Sequence, residues 1–141
     1  MRKSWDEFFM GVAEKYAEMG TCNRLKVGAV IVKNKKQVGQ GFNGSIHGHD
    51  HCLDVGCLIN DEGRCIRTLH AEENAVLQTE RHLLEGATVY VTHAPCEKCS
   101  KTLAQVGIKR IVFRNAYANK WNEHFLKGIE LVHLPDNPEK K

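Results

Sequence analysis

The chain has 141 residues, 42% of them hydrophobic and 26% charged, with a formal net charge of +3. That length fits a single domain, residues 1–141, with a real core, and the composition is that of an ordinary globular protein. The charge is too small to argue for a nucleic-acid partner, and no run of 18 apolar residues is present to cross a membrane.

Ser4-x-x-Glu7 has the spacing of a capping box and opens a predicted helix. Trp5, Phe8, Phe9, Val12, Ala13, Tyr16 and Ala17 recur at helical spacing and give it one apolar face, read as core. Asp6, Glu7 and Glu14 interrupt the apolar residues, so this segment does not read as a signal peptide. Val27–Lys33 and Gln37–Phe42, separated by polar Asn34-Lys35-Lys36, read as a hairpin. Gly44–Arg67 is long and irregular, rich in glycine, histidine and aspartate, with three cysteines; such loops are functional or disordered. A helix is expected over Glu72–Leu84, a strand over Ala87–Thr92, and a helix over Glu97–Val106 stopped by Gly107. A strand at Ile108–Phe113, a short helix at Trp121–Leu126 and a strand at Ile129–Leu134 follow, and 135–141 is a polar tail expected to fray. Strands alternating with helices after an opening hairpin predict a three-layer α/β/α domain around a mixed sheet of about five strands.

Two segments carry chemistry. His70-Ala71-Glu72 precedes Pro95-Cys96-Glu97-Lys98-Cys99, the order H-x-E then P-C-x-x-C that marks zinc-dependent nucleobase deaminases. Taken singly, a C-x-x-C is also a redox pair and the tripeptide is common. Together, His70, Cys96 and Cys99 supply three ligands and leave a fourth tetrahedral position for water. Glu72 is then the candidate proton carrier between that water and a leaving amine. Both motifs fall where helices begin, and the positive end of a helix favours thiolates. His70 and Glu72 are two apart and share no helix face, so one can turn to metal and the other to substrate. Glu73 reads as a first-turn carboxylate.

The chain resembles deoxycytidylate (dCMP) deaminases, and within them the bacterial branch encoded in competence operons. The resemblance runs from about Ser4 to the last strand. It rests on the two motifs and on Gly41-Phe42-Asn43-Gly44, Thr21-Cys22, Val27-Gly28-Ala29-Val30, His51-Cys52, Cys65-x-Arg67, Tyr90-Val91-Thr92-His93 and Gly107-Ile108-Lys109-Arg110. It implies a cytidine-deaminase-like fold and conversion of dCMP to dUMP and ammonia, feeding thymidylate synthesis. It also implies a homo-oligomer, a hexamer or similar, with dCTP and dTTP as candidate regulators. Asn43 would bond the sugar hydroxyl, or else serve as a turn residue before Gly44. Phe42 stands where tyrosine is more frequent. Ala71 lies within the motif on the substrate side, Arg24 and Lys26 are candidate phosphate contacts, and Tyr117 falls where the family has a substrate-side tyrosine.

Four cysteines remain: Cys22, Cys52, Cys57 and Cys65. They are either buried thiols acting as small apolar groups or a closed, structural zinc site stapling the 45–67 insert, and the resembling family carries a second zinc in this region. His47, His49 and His51 compete as ligands. With no leader apparent and thiols assigned to metal, a cytoplasmic location is expected. The alternatives are another zinc nucleoside or nucleotide deaminase and a non-catalytic, competence-linked zinc protein of the same fold. An RNA substrate is disfavoured by an aromatic content of only 7%.

Overall fold

A computed structural model describes residues 2–22, 25–63, 65–116 and 121–136. Helix α1 spans Trp5–Ala17, and the Ser4 hydroxyl accepts the Glu7 N–H at 3.1 Å as its N-cap. Only this half of the expected capping box forms. The Glu7 carboxylate turns to Arg114 instead, 3.3 Å away. The face α1 buries is centred on Phe9, Met10 and Ala13, whereas Trp5 and Phe8, expected in the core, meet edge to face at its exposed rim.

Strand β1 (Gly28–Lys33) pairs antiparallel with β2 (Lys36–Phe42), joined through Asn34 and Lys35, both in the left-handed region. On its other side β1 pairs antiparallel with β5 (Thr88–His93). Strands β5, β6 (Arg110–Asn115) and β7 (Glu130–His133) run parallel, so the mixed sheet has the order β2-β1-β5-β6-β7. Successive residues of β1 point to opposite faces. Val30 and Val32 meet Phe9, Met10 and Ala13 of α1, with Tyr90 and Val112. Ala29 and Ile31 enter the other core, with Ala71 and Ala75 of α3 (Ala71–Gln78) and Leu103 of α5 (Glu97–Gln105). The three layers are those expected.

Two glycines let helices approach the sheet. A Cβ at Gly28 would collide with the Ala13 carbonyl of α1, and one at Gly41 would lie 2.5 Å from the Ala75 nitrogen of α3. The Asn74 amide then donates to the Phe42 carbonyl at 2.8 Å, locking α3 to the end of β2.

The helix expected over 72–84 is two helices, α3 and α4 (Arg81–Leu84). At Thr79 the backbone is extended, and its hydroxyl donates to the Ala75 carbonyl at 2.7 Å, which competes with continuing the helix. The break lets Leu84 turn fully into the core. The 45–67 insert is more ordered than its sequence suggests. It holds α2 (Cys52–Val55) and a bridge between Ile59 and Cys65, and β3 (Gly44–Ser45) pairs with β4 (Thr68–Leu69) across its base. Helix α6 (Asn122–Phe125) precedes β7. The start of the tail is tied down: the Pro135 carbonyl accepts from Arg114 at 2.7 Å.

Because β1 is antiparallel to β5, several ends meet at the carboxyl edge of β5. They are the start of β1, the end of β2 and the N-termini of α3 and α5.

Candidate metal centre and active site

His70 is the N-cap residue of α3, and Cys96 is the N-cap residue of α5. The cap at His70 is held by the Glu73 carboxylate, which accepts the His70 N–H at 3.0 Å and faces Lys98 at 3.4 Å. Glu73 is thus a brace for the site. Asn122 performs the same service for the cysteine loop. Its amide donates to the Pro95 carbonyl at 3.0 Å and accepts from the buried Ser100 hydroxyl at 2.7 Å, so α6 clips both sides of the Cys96–Cys99 turn.

These supports bring the expected ligands together. The His70 Nδ1 lies 3.5 Å from the Cys96 sulfur and 3.3 Å from that of Cys99. A tetrahedral zinc with its usual bond lengths sets nitrogen–sulfur edges of about 3.6 Å, so the donor set fits the ion in element and in spacing. The electrostatics already favour a thiolate. A hydrogen bond from the Cys99 side chain, against the cost of burial, and further bonds from His70 and the Cys99 N–H hold Cys96 at about 3. That neighbour pushes Cys99 upward, and Cys96 raises His70. A divalent cation would bring the second thiol to its thiolate form as well.

Glu72 is only 5% exposed, and burial pushes its carboxyl up to about 7. A carboxyl poised there can both accept and deliver a proton near neutral pH. His70, Ala71, Glu72 and Cys96 line one cavity of about 360 Å³, together with Asn43, Thr68, His93 and the apolar Leu25, Val27 and Ala94. The volume suits a ligand of nucleotide size.

The remaining expected substrate residues fare differently. Asn43 lines the cavity, but its amide braces the adjoining loop: Oδ1 accepts the Val27 N–H at 2.8 Å and Nδ2 donates to the Leu25 carbonyl at 2.6 Å. Lys26 is exposed and lies between two lining residues without lining the cavity itself. Arg24 and Tyr117 lie outside the described residues. Thr68 and the clip at Asn122 were not singled out from the sequence, and His93 was named only as the end of the Tyr90–His93 segment that carries the resemblance, with no role. Nothing in the sequence joins Asn122 to a turn some 27 positions earlier.

The four other cysteines also converge. Sulfurs of Cys22, Cys52 and Cys57 lie within 4.8 Å of one another, and that of Cys65 is 3.6 Å from Cys52. Tetrahedral thiolate zinc sets sulfur–sulfur edges of about 3.8 Å, close to the Cys52–Cys65 separation, while Cys22, Cys52 and Cys57 form the group of three whose sulfurs are all mutually near. His47, His49 and His51 are exposed and line a separate cavity.

A three-layer fold with a histidine–dithiolate triad and a buried carboxylate at the sheet's carboxyl edge defines a zinc-dependent deaminase domain. Residues 3–115 match the family model described as the cytidine and deoxycytidylate deaminase zinc-binding region, and the chain belongs to that family. It is 46% identical over 118 residues to ComE operon protein 2 of Bacillus subtilis, covering 82% of this chain and 62% of that protein. It is 40% identical over 123 residues to deoxycytidylate deaminase of Mycobacterium phage D29, covering 79% of this chain and 95% of that one. The crystal structure of dCMP deaminase from the cyanophage S-TIM5 in complex with dCMP and dUMP superimposes with a TM-score of 0.80 at 32% identity. That match covers 95% of this chain and 99% of the phage enzyme. Among the described residues no helix is long and apolar enough to cross a membrane.

Proposed function

We propose that the chain hydrolyses dCMP to dUMP and ammonia, using zinc held by His70, Cys96 and Cys99. The observation that carries this reading is the buried Glu72 carboxyl beside a mixed nitrogen–sulfur triad in a cavity of nucleotide size. Similarity to phage and other deoxycytidylate deaminases supports dCMP as the substrate. Zinc bound there supplies a Lewis acid that acidifies a water molecule. Glu72 takes a proton from the attacking water and passes it to the pyrimidine N3 as the oxygen adds to C4. A second proton then moves from the water oxygen through Glu72 to the exocyclic nitrogen, which leaves as ammonia. The buried carboxyl keeps both transfers away from bulk solvent.

Around that chemistry, the Ala71 backbone and the Asn43 side chain form the substrate-facing wall. Lys26, exposed between the lining residues Leu25 and Val27, is the proposed phosphate contact with Arg24, and Tyr117 a further proposed substrate contact. A second zinc on Cys22, Cys52, Cys57 and Cys65 would close the insert as a structural site. The exposed Leu53, Val55, Leu58, Ile59 and Ile66 of that insert favour a homo-oligomer, with a hexamer as the proposed form. dCTP and dTTP are the proposed regulators, and the location is cytoplasmic. The chain spans 62% of the length of its Bacillus relative, so its activity as a whole protein is part of this proposal.

Ammonia release from dCMP, deoxycytidine and CMP, measured side by side, tests the reading. A far higher kcat/KM for dCMP is expected, because the nucleoside lacks the charge-assisted partner of the phosphate. Equal values for dCMP and deoxycytidine would make the protein a nucleoside deaminase. No turnover of any of the three, with zinc bound, would leave a non-catalytic zinc protein.

A further inference from the structure

His93 is a polar group of the cavity wall to which the proposed reaction assigns no part. It is half-buried at the end of β5, three residues before the ligand Cys96. Its Nδ1 lies 3.1 Å from the Thr92 hydroxyl oxygen, and that oxygen also accepts the Gly28 N–H at 3.2 Å. Thr92 is buried, and among the described residues its hydroxyl meets these two partners alone. Were Nδ1 the donor, the oxygen would accept twice and its own proton would be left buried without an acceptor, an unfavourable state. With the hydroxyl donating to Nδ1, all three groups are satisfied. The ring then carries its proton on Nε2. Burial lowers the pKa of His93 and keeps the ring neutral.

Nδ1 is turned back onto β5, so the ring edge left to meet the cavity is that of Nε2. Several other polar groups of the wall are engaged elsewhere: both ends of the Asn43 amide are bonded to backbone, and His70 and Cys96 face the metal position. The reacting carbon must sit beside Glu72 and Cys96, which places the base, rather than the phosphate, within the reach of a residue at the end of β5. Leu25, Val27, Ala71 and Ala94 offer that base apolar walls.

We propose that His93 is a substrate-binding residue that donates from Nε2–H to the O2 carbonyl of the pyrimidine, with Thr92 as the positioning residue that fixes its tautomer. The inference rests on the dCMP reading above. Cytosine and uracil share O2, so the contact holds substrate and product alike and acts on binding rather than on the chemical step.

The test uses zinc-loaded protein, calorimetric binding of dUMP, and kinetics with dCMP and deoxycytidine. His93→Leu removes the donor, His93→Asn offers an amide nearer the Nδ1 position, and His93→Gln places one nearer Nε2. Leu and Asn should weaken dUMP binding and raise the KM for dCMP by about tenfold, with a smaller change in kcat. Gln should recover part of that loss. Thr92→Val should weaken dUMP binding by a smaller factor, because it frees the tautomer without removing the donor. The His93→Leu penalty should be the same for dCMP and deoxycytidine. An unchanged dUMP Kd in His93→Leu would overturn the proposal, as would a penalty confined to dCMP, which would move the contact to the phosphate. Equal losses in Gln and Leu would reduce His93 to packing and overturn it too. If the wild-type protein neither binds dUMP nor turns over dCMP, the dCMP reading itself fails, an outcome distinct from all of these.

Discussion

The two sulfur-bearing clusters of this chain differ in what holds their side chains in place. His70, Cys96 and Cys99 stand at the starts of α3 and α5, both packed on the sheet and braced by Glu73 and Asn122. Cys52, Cys57 and Cys65 belong to an insert that has, among the described residues, one four-residue helix and a single isolated bridge, and Cys52 and Cys57 reach Cys22 before β1. In the first case the core builds the site, and under the proposed function its metal would serve chemistry. In the second the metal would help build the structure, because the insert leaves Leu53, Val55, Leu58 and Ile59 half exposed and has little core of its own. Chemistry would also separate them: a zinc on the triad would keep a coordination position open beside a buried carboxylate, whereas four sulfurs would close theirs.

Substitutions should break this contrast in a definite order. The largest effect is expected from Cys96→Ser, which removes a ligand from the core-built site. Elemental analysis should show one zinc lost per chain and activity reduced to background, with the far-ultraviolet circular dichroism retained. Full zinc content in this variant would overturn the ligand assignment. Glu72→Gln should cut kcat by about 10²–10⁴-fold while the zinc content stays at the wild-type value. A near-native rate would end the proton-carrier role.

Cys52→Ser should act through the fold instead. Zinc should fall from two to one per chain, the Tm should drop by several degrees, and substrate KM should rise while the catalytic zinc stays. Zinc at one per chain in the wild type, with four freely titratable thiols, would make the insert's cysteines packing residues. Asn43→Ala sharpens the comparison from between the two clusters. Its amide braces Leu25 and Val27, so losing two hydrogen bonds should cost about 1–3 kcal/mol of stability along with substrate affinity. Weaker binding at unchanged stability would make it a sugar contact alone.

The opposite end of the sheet offers a control far from both clusters. There Arg110 bonds both oxygens of Asp6, at 2.9 and 2.8 Å, and with the Tyr90 hydroxyl holds its carboxyl below the usual range against the effect of burial. A carboxyl lowered in the folded state contributes stability above its unfolded pKa of about 3.9 and loses it as pH falls through the lower folded value. Asp6→Asn should therefore lower stability at neutral pH by roughly 1–2 kcal/mol and narrow its gap to the wild type in acid, as followed by urea unfolding. An equal gap at pH 7 and at low pH would remove the linkage.

Much of this arrangement was legible from residue order. His70, Glu72, Cys96 and Cys99 are readable because zinc chemistry restricts residue type and spacing together, and the alternation of β1 is readable because period two is enforced by a sheet with a core on each face. The break at Thr79 was not, since a hydroxyl donating to Ala75 competes with a helical pattern that otherwise continues to Leu84. Met10 rather than Trp5 fills the α1 core because the helix meets the sheet on a face rotated from the one its largest aromatics suggest. Braces such as Asn122 depend on which carbonyl lies opposite in space, and no local pattern encodes that.

Arg114 binds three distant parts of the chain into one unit. Its side chain, 1% exposed, faces Glu7 and Glu14 of α1 at 3.3 and 3.1 Å and donates to the Pro135 carbonyl beyond β7. A fusion partner or affinity tag should therefore be joined after Asp136, whose carboxylate also faces the guanidinium at 3.5 Å, and not earlier. Cutting the chain back to Leu134 would strip a buried cation of a carbonyl and a counter-charge at once. The damage would be felt at the first helix, more than a hundred residues away in sequence.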